Sequence, residues 1–120
     1  MIPKFRAWDK NTNDMVDVKT IDLEKDGSIG CIVDYNGINL DVSECILMQS
    51  TGLKDKNDVE IFEGDIGWDD HQEVHGQVIF ENGAFKYEWE NISEDLFEAT
   101  DDIEIVGNIH ENPELLEVAK

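Results

Sequence analysis

The sequence predicts an α+β fold that is mostly β. Short strand-like runs dominate, two Asn-Gly pairs mark tight hairpins, and helix signals are confined to one or two short segments. The 120 residues suit one domain, or one domain with a small appendage.

The elements follow in order. Lys4 to Trp8 alternates apolar and polar residues, and Met15 to Val18 resumes the alternation after the polar stretch Asp9 to Asp14; together they read as a hairpin. Thr20 to Leu23 is a weaker strand, Asp26-Gly27 a turn, and Ile29 to Asp34 another strand. Asn36-Gly37 predicts a type I′ turn, which needs positive φ at both central residues. Cys45 to Gln49 is an apolar run suited to a buried strand, and Lys54 to Asp58 is a charged turn. Val59 to Phe62 is a short strand, followed by a corner at Glu63, Gly64 and Asp65 that leads into Ile66 and Trp68. Val74 to Glu81 and Ala84 to Glu90 flank Asn82-Gly83, the second type I′ signal. In the return strand Phe85, Tyr87 and Trp89 point one way and Lys86, Glu88 and Glu90 the other. Asn91 with Glu94 three residues on has capping-box spacing, which predicts a helix over Ser93 to Thr100. Ile103 to Ile109 is the last strand. Asn112 and Pro113 fit the N-cap and first position of a terminal helix, Glu114 to Val118.

This order places a small β-barrel with short helices in residues 46–120 and an appended β layer in residues 1–45.

Charge narrows the function. The chain carries 29 acidic and nine basic residues, for a net charge of −20. Residues 1–45 hold net −4 and residues 46–120 net −16, with no Lys or Arg between Lys56 and Lys86 or between Lys86 and Lys120. Direct nucleic-acid binding depends on Lys and Arg neutralising phosphates, so this balance argues against it. An anionic membrane surface is equally disfavoured. A basic protein partner, a cation or self-association through an apolar patch is favoured. There is no run of about 18 apolar residues and no apolar signal core at the N-terminus. Cys31 and Cys45 lack zinc spacing, so two free thiols in a reducing cytoplasm are expected.

Chemistry-bearing clusters are weak. Asp69, Asp70, His71 and His75, with Glu63 and Asp65 upstream, have the donor types of a transition-metal site. In an extended segment the two histidines stand about 13 Å apart, too far to share an ion without a bend. Asp9, Asn11 and Asn13 match the first ligand positions of a calcium loop, but Asp14 replaces the required Gly and Thr20 the bidentate Glu. Asp55 and Asn57 fail in the same way, with Glu60 at the Gly position. Neither cysteine has a His or Lys near it in sequence. Ser28, Ser43, Ser50 and Ser93 sit in no nucleophile motif, and there is no phosphate-binding Gly loop. No catalytic residue, metal or other cofactor is therefore assigned. The aromatic run Phe80, Phe85, Tyr87, Trp89 suits core packing better than base stacking, because its half of the chain lacks the basic groove that stacking platforms use. Trp68, at a strand end beside two aspartates, is a candidate interface anchor. Lys4 and Arg6 on the first strand are candidates for an acidic contact.

Four segments have a familiar wording: KFRAWD at Lys4 to Asp9, LMQSTGLKDKNDVEIFEGDI at Leu47 to Ile66, GQVIFENGAFKYEW at Gly76 to Trp89, and EIVGNIHENPELL at Glu104 to Leu116. In this order they resemble the YopX family of phage and prophage proteins, over nearly the whole chain. The resemblance implies an α+β N-terminal part, a closed SH3-like barrel at the C-terminal end, a phage accessory role and oligomers; it supplies no catalytic residues. Two departures stand out. Asn57-Asp58 replaces a usual Asn-Gly, and Gly67, Trp68, Asp69, Asp70, His71 replace a β-branched and polar continuation.

The function expected is non-catalytic binding of a protein partner through an acidic surface. The residues that would carry it are Trp68, Glu88, Glu90, Glu94, Asp95, Glu98, Asp101, Asp102 and Glu104. Such an array can imitate a phosphate ladder and occupy a host protein's DNA groove. A structural homo-oligomer is the alternative, and a metal-dependent enzyme using Asp69, Asp70, His71 and His75 a more distant one.

Overall fold

The computed structural model describes residues 4–116. The described residues are mostly β, with one short helix, α1, at Leu96–Ala99. The boundary between two compact units falls between Gln49 and Ser50, inside one long strand.

The first unit holds β1 (Phe5–Asp9), β2 (Asp14–Leu23), β3 (Ile29–Asp34), β4 (Asn39–Asp41) and the first half of β5 (Cys45–Lys54). Its antiparallel order is β4-β3-β2-β1-β5. Ala7 lies opposite both Val16 and Leu47, so all three share a face. Ile32 and Leu40 are likewise paired across β3 and β4. Ala7, Ile32, Leu40 and Cys45 form the buried core, with Val16, Val18, Ile21, Ile29 and Leu47 packed against it.

The second unit pairs the latter half of β5 with β6 (Glu60–Phe62). Its main sheet has the order β10-β9-β8-β7-β11, from β7 (Asp65–Asp69), β8 (Val74–Glu81), β9 (Ala84–Trp89), β10 (Ile92–Asp95) and β11 (Ile103–Asn108). Val78, Tyr87, Trp89 and Ile103 bury one face of this sheet under Ile61, Leu96 and Ala99. Each large side chain so buried contributes about 1.5–3 kcal/mol. A β-bulge at Val106 interrupts the β11 pairing. Beyond β11's other side, the Lys56 N–H donates to the Ile103 carbonyl (3.1 Å) and the Ile105 N–H donates to Asp55 Oδ2 (2.8 Å).

Several expectations need correction. Among the described residues β10 and β11 do not pair, so the sheet is open rather than a closed barrel. The helix expected over Ser93 to Thr100 is half strand: Glu90, at φ 52°, turns the chain so that Ile92 pairs back onto Trp89. Asn91 then forms no capping box, and the short helix begins only after Asp95. The terminal helix is a 3-10 turn at Pro113–Leu116; Glu117 and Val118, its expected end, lie outside the described residues. The weak strand at Thr20 to Leu23 is continuous with β2, and β4 was not expected at all.

Asn36-Gly37 is not a type I′ turn, since only Gly37 has positive φ, whereas Asn82 (53°) and Gly83 (81°) both do. The loop Asp34–Ile38 is instead built twice in the chain, recurring as Asp55–Val59. In each, the Asp N–H donates to the carbonyl four residues on, at 3.0 and 2.9 Å. Oδ1 of Asp34 accepts the N–H of Asn36 and of Ile38, both at 2.9 Å. Oδ1 of Asp55 accepts those of Asn57 and Val59, at 2.8 and 2.9 Å. The left-handed residue is Gly37 (84°) in one copy and Asp58 (67°) in the other. A longer loop also recurs. Asn13 N–H donates to the Asp9 carbonyl at 2.8 Å, and Glu73 N–H to that of Asp69 at 2.7 Å. The first carboxylate accepts the Asn11 N–H and the second the His71 N–H, both at 2.9 Å. Asp9, Asp34, Asp55 and Asp69 are all buried. Backbone N–H groups make that tolerable for a carboxylate, which is otherwise expensive to desolvate.

Candidate functional site

The β9-β10 hairpin and the segment after α1 position most of the acids singled out above. Lys86 and Asp95 are cross-strand partners, and Nζ and Oδ1 meet at 2.6 Å. This contact raises the Lys86 pKa, first through the hydrogen bond and then through the carboxylate's charge. Asp95 is therefore partly neutralised. Glu94 shares a face with its partner Tyr87, looking toward the core. Burial pushes its pKa up, and Glu98, Asp102 and Asp69 push in the same direction. Glu104 is half-buried opposite Trp68.

The exposed set is Glu88, Glu90, Glu98, Asp101 and Asp102. Glu88 stands on β9, but Glu90 lies past the strand's end in the hairpin turn, so the two do not form a straight row of carboxylates. Among the described residues the bases of the second unit are Lys54, Lys56 and Lys86. Each is taken by one aspartate: Asp58 (3.7 Å), Asp70 (3.2 Å) and Asp95 (2.6 Å). None of the five exposed acids has an ion-pair partner among the described residues.

A groove of about 420 Å³ adjoins Glu88 and Glu90. Glu73, His75 and Gln77 line it with those acids, and Trp89, Leu115 and Leu116 give it an apolar side. The sequence did not signal it: only the fold brings the terminal 3-10 turn against β8.

The weak metal candidates are not brought together. Asp69 caps its own loop and also accepts from the Gln72 N–H at 3.2 Å. Asp70 is engaged by Lys56 and by the indole N–H of Trp68, which hold its pKa down, the lysine hydrogen bond first. His71 gives its backbone N–H to Asp69, and His75 packs on Trp68 with ring centroids 4.7 Å apart. Among the described residues no three His, Cys, Asp or Glu side chains are grouped to hold an ion. Trp68 is half-buried and engaged on both sides rather than free at a rim.

Phe85, Tyr87 and Trp89 pack into the core as their alternation indicated. Phe80 meets Phe85 edge-on at 4.9 Å while staying half exposed (50%). Both cysteines are free thiols. Their pKa values are raised, in each case first by burial, then by Asp22 at Cys31 and by Asp9 at Cys45. No helix among the described residues is long and apolar enough to cross a membrane.

The model of a family described as YopX protein matches residues 4–117. The crystal structure of protein EF1440 from Enterococcus faecalis matches with a TM-score of 0.80 and 34% identity, over 98% of this chain and 99% of that one. The X-ray structure of YopX from Bacillus subtilis matches with a TM-score of 0.68 and 20% identity, over 100% of both chains, a likeness of fold. No curated protein matches the chain.

Proposed function

The chain belongs to the YopX family, and from that premise we propose that it is a non-catalytic phage accessory protein that binds a basic protein partner through the acidic surface of its second unit, where Glu88 and Glu90 lie beside the groove and Glu98, Asp101 and Asp102 lie at and after α1. One observation carries this. Every described base in that unit is already paired with an aspartate, which leaves Glu88, Glu90, Glu98, Asp101 and Asp102 exposed and uncompensated. A field of one sign steers an oppositely charged partner and speeds encounter. The groove beside Glu88 and Glu90 suits a Lys or Arg side chain, whose apolar stem can lie on Leu115 and Leu116 while its charge meets the glutamates. A host nucleic-acid-binding protein in the bacterial cytoplasm has the required surface, and exposed carboxylates would then stand in for phosphates.

Capture of basic partners from host lysate, followed by a salt titration of the purified pair, tests this. Binding should weaken steeply between low and physiological salt, because exposed charges are screened. It should also fail when Glu88, Glu90, Asp101 and Asp102 become Gln or Asn while the fold is kept. Association indifferent to salt would exclude the acidic face as its cause.

A homo-oligomeric role is the second reading, and the exposure of Phe97 (63%), Phe80 (50%) and Ile92 (49%) favours it. A native mass equal to a multiple of the monomer, lost in Phe97→Asp, would support it. A monomer at micromolar concentration would remove it.

A further inference from the structure

The first unit carries a groove of about 670 Å³ on the continuation of its core face. That volume is in the range of small-ligand sites. Val18, Ile21, Leu23, Ile29 and Tyr35 line it, and Lys4 and Lys19 stand in the lining with them. Leu23 (64%) and Tyr35 (69%) are large apolar side chains left open to water. Among the described residues the lining contains no Asp or Glu, although the chain holds 29 of them in 120 residues. The local sign of charge is therefore the reverse of the molecule's.

The backbone produces this reversal. Alternation along β2 sends Asp17 and Asp22 to the opposite face from Val18 and Ile21. Asp22 is held there, accepting from the Cys31 thiol at 3.4 Å. Lys19 escapes the alternation. Val18 pairs with Asp34 and Thr20 with Val33, two adjacent partners, so Lys19 is the unpaired extra residue of a β-bulge. Bulges re-aim side chains in this way. Here the re-aimed residue is a lysine beside an apolar groove, and it makes no ion pair among the described residues.

We propose that this groove binds a small amphiphilic anion, with an aliphatic chain on Val18, Ile21, Leu23 and Ile29 and an anionic head at Lys19. A protein of net charge −20 should otherwise prefer cations, so a preference for the anion at this groove is diagnostic.

The test is amide chemical-shift titration of the full chain with decanoate below its micelle concentration, run beside decyltrimethylammonium and beside anionic phospholipid vesicles. The expected result is saturable shifts at Lys19, Ile21, Leu23 and Ile29 with decanoate, weaker ones with the cation, and none specific to vesicles. Lys19→Glu, an exposed substitution, should weaken decanoate by about fivefold, and Leu23→Ser should weaken both amphiphiles, each with unchanged circular dichroism. Absence of groove shifts, equal or tighter binding of the cation there, or engagement of vesicles alone would overturn the proposal. None of these outcomes depends on the acidic face of the second unit.

Discussion

Tyr87 fills the space that a side chain at Gly76 would need. Gly76 and Gly67 are cross-strand partners in β8 and β7, and a Cβ at Gly67 would stand 2.9 Å from the Tyr87 hydroxyl oxygen. Two strands thus forgo side chains so that a ring from a third can lie across them. Gly76→Ala should lower stability by about 1–3 kcal/mol, because an enclosed ring has nowhere to move. Unfolding midpoints in urea would show it.

The same tyrosine makes a second prediction. Its hydroxyl oxygen is buried without a hydrogen-bond partner among the described residues, and burial, then Asp69, raises its pKa. The Gly76 backbone approaches this oxygen and offsets part of the rise, without a hydrogen bond of good geometry, so Tyr87→Phe removes a poorly satisfied polar group and stability should hold or rise by up to about 1 kcal/mol. A clear loss in the urea midpoint would mean the hydroxyl is satisfied.

The paired loops Asp34–Ile38 and Asp55–Val59 can be tested against one another. Asp58→Gly should stabilise by about 0.5–1 kcal/mol, because glycine adopts the left-handed φ of 67° without a Cβ penalty. The ion pair given up, Lys54 with Asp58, is exposed and worth little. Gly37→Asp should cost a similar amount. Thermal midpoints of the two variants should move in opposite directions.

Asp55 does more than close its loop. Its carboxylate accepts from Asn57 and Val59 within the loop and from Ile105 across the unit. Asp55→Ala removes an acceptor from three amides at a buried position, and should cost about 3 kcal/mol or more. Hydrogen exchange should report the loss first at the Ile105 amide.

Glu94 sets a pH dependence. Its folded pKa is raised above the ordinary value of 4.5 by burial and by three neighbouring acids. Above that raised pKa the folded state holds a charge it resists, and the cost is relieved as pH falls through the window down to the unfolded value. Glu94→Gln should therefore stabilise at pH 7, by no more than about 1 kcal/mol since the group is partly solvated. The gain should vanish near pH 4. Equal effects at both pH values would contradict the assignment. Asp41 and Asp70 act in the opposite sense, because hydrogen bonds lower their pKa values, from Ser43 and from Lys56 respectively.

Much of the fold was legible because one face of a strand must be apolar. In β9 the sequence Phe85, Tyr87, Trp89 can only be a core face, and Asn82-Gly83 can only be its turn. What was not legible had local chemistry that pointed elsewhere. Asn91 and Glu94 carry helix-start spacing, yet Glu90 accepts a left-handed φ that no rule assigns to glutamate, and the chain pairs back as β10. β4 is three residues with a single buried side chain, too short for any period. The Asp-x-Asn stretches at Asp9 and Asp55 were visible, but resembled incomplete calcium loops; the role of these aspartates, and of Asp34, as buried loop caps depends on backbone amides. For the acidic face, composition disclosed its sign and Lys86 its scarcity of bases. Which aspartate Lys86 would neutralise depended on a register that appears only with β10.

The contacts at β11 bear on how this chain behaves when concentrated. Fibrils grow when a stranger's backbone adds to an unoccupied strand. Along β11 the Ile103 carbonyl and the Ile105 amide are already spoken for by Lys56 and Asp55. Templated growth on the second unit's main sheet is left with β10, where Ile92 is 49% exposed. A substitution at Asp55 would bare the Ile105 amide and leave the Lys56 backbone N–H on the Ile103 carbonyl to guard that side.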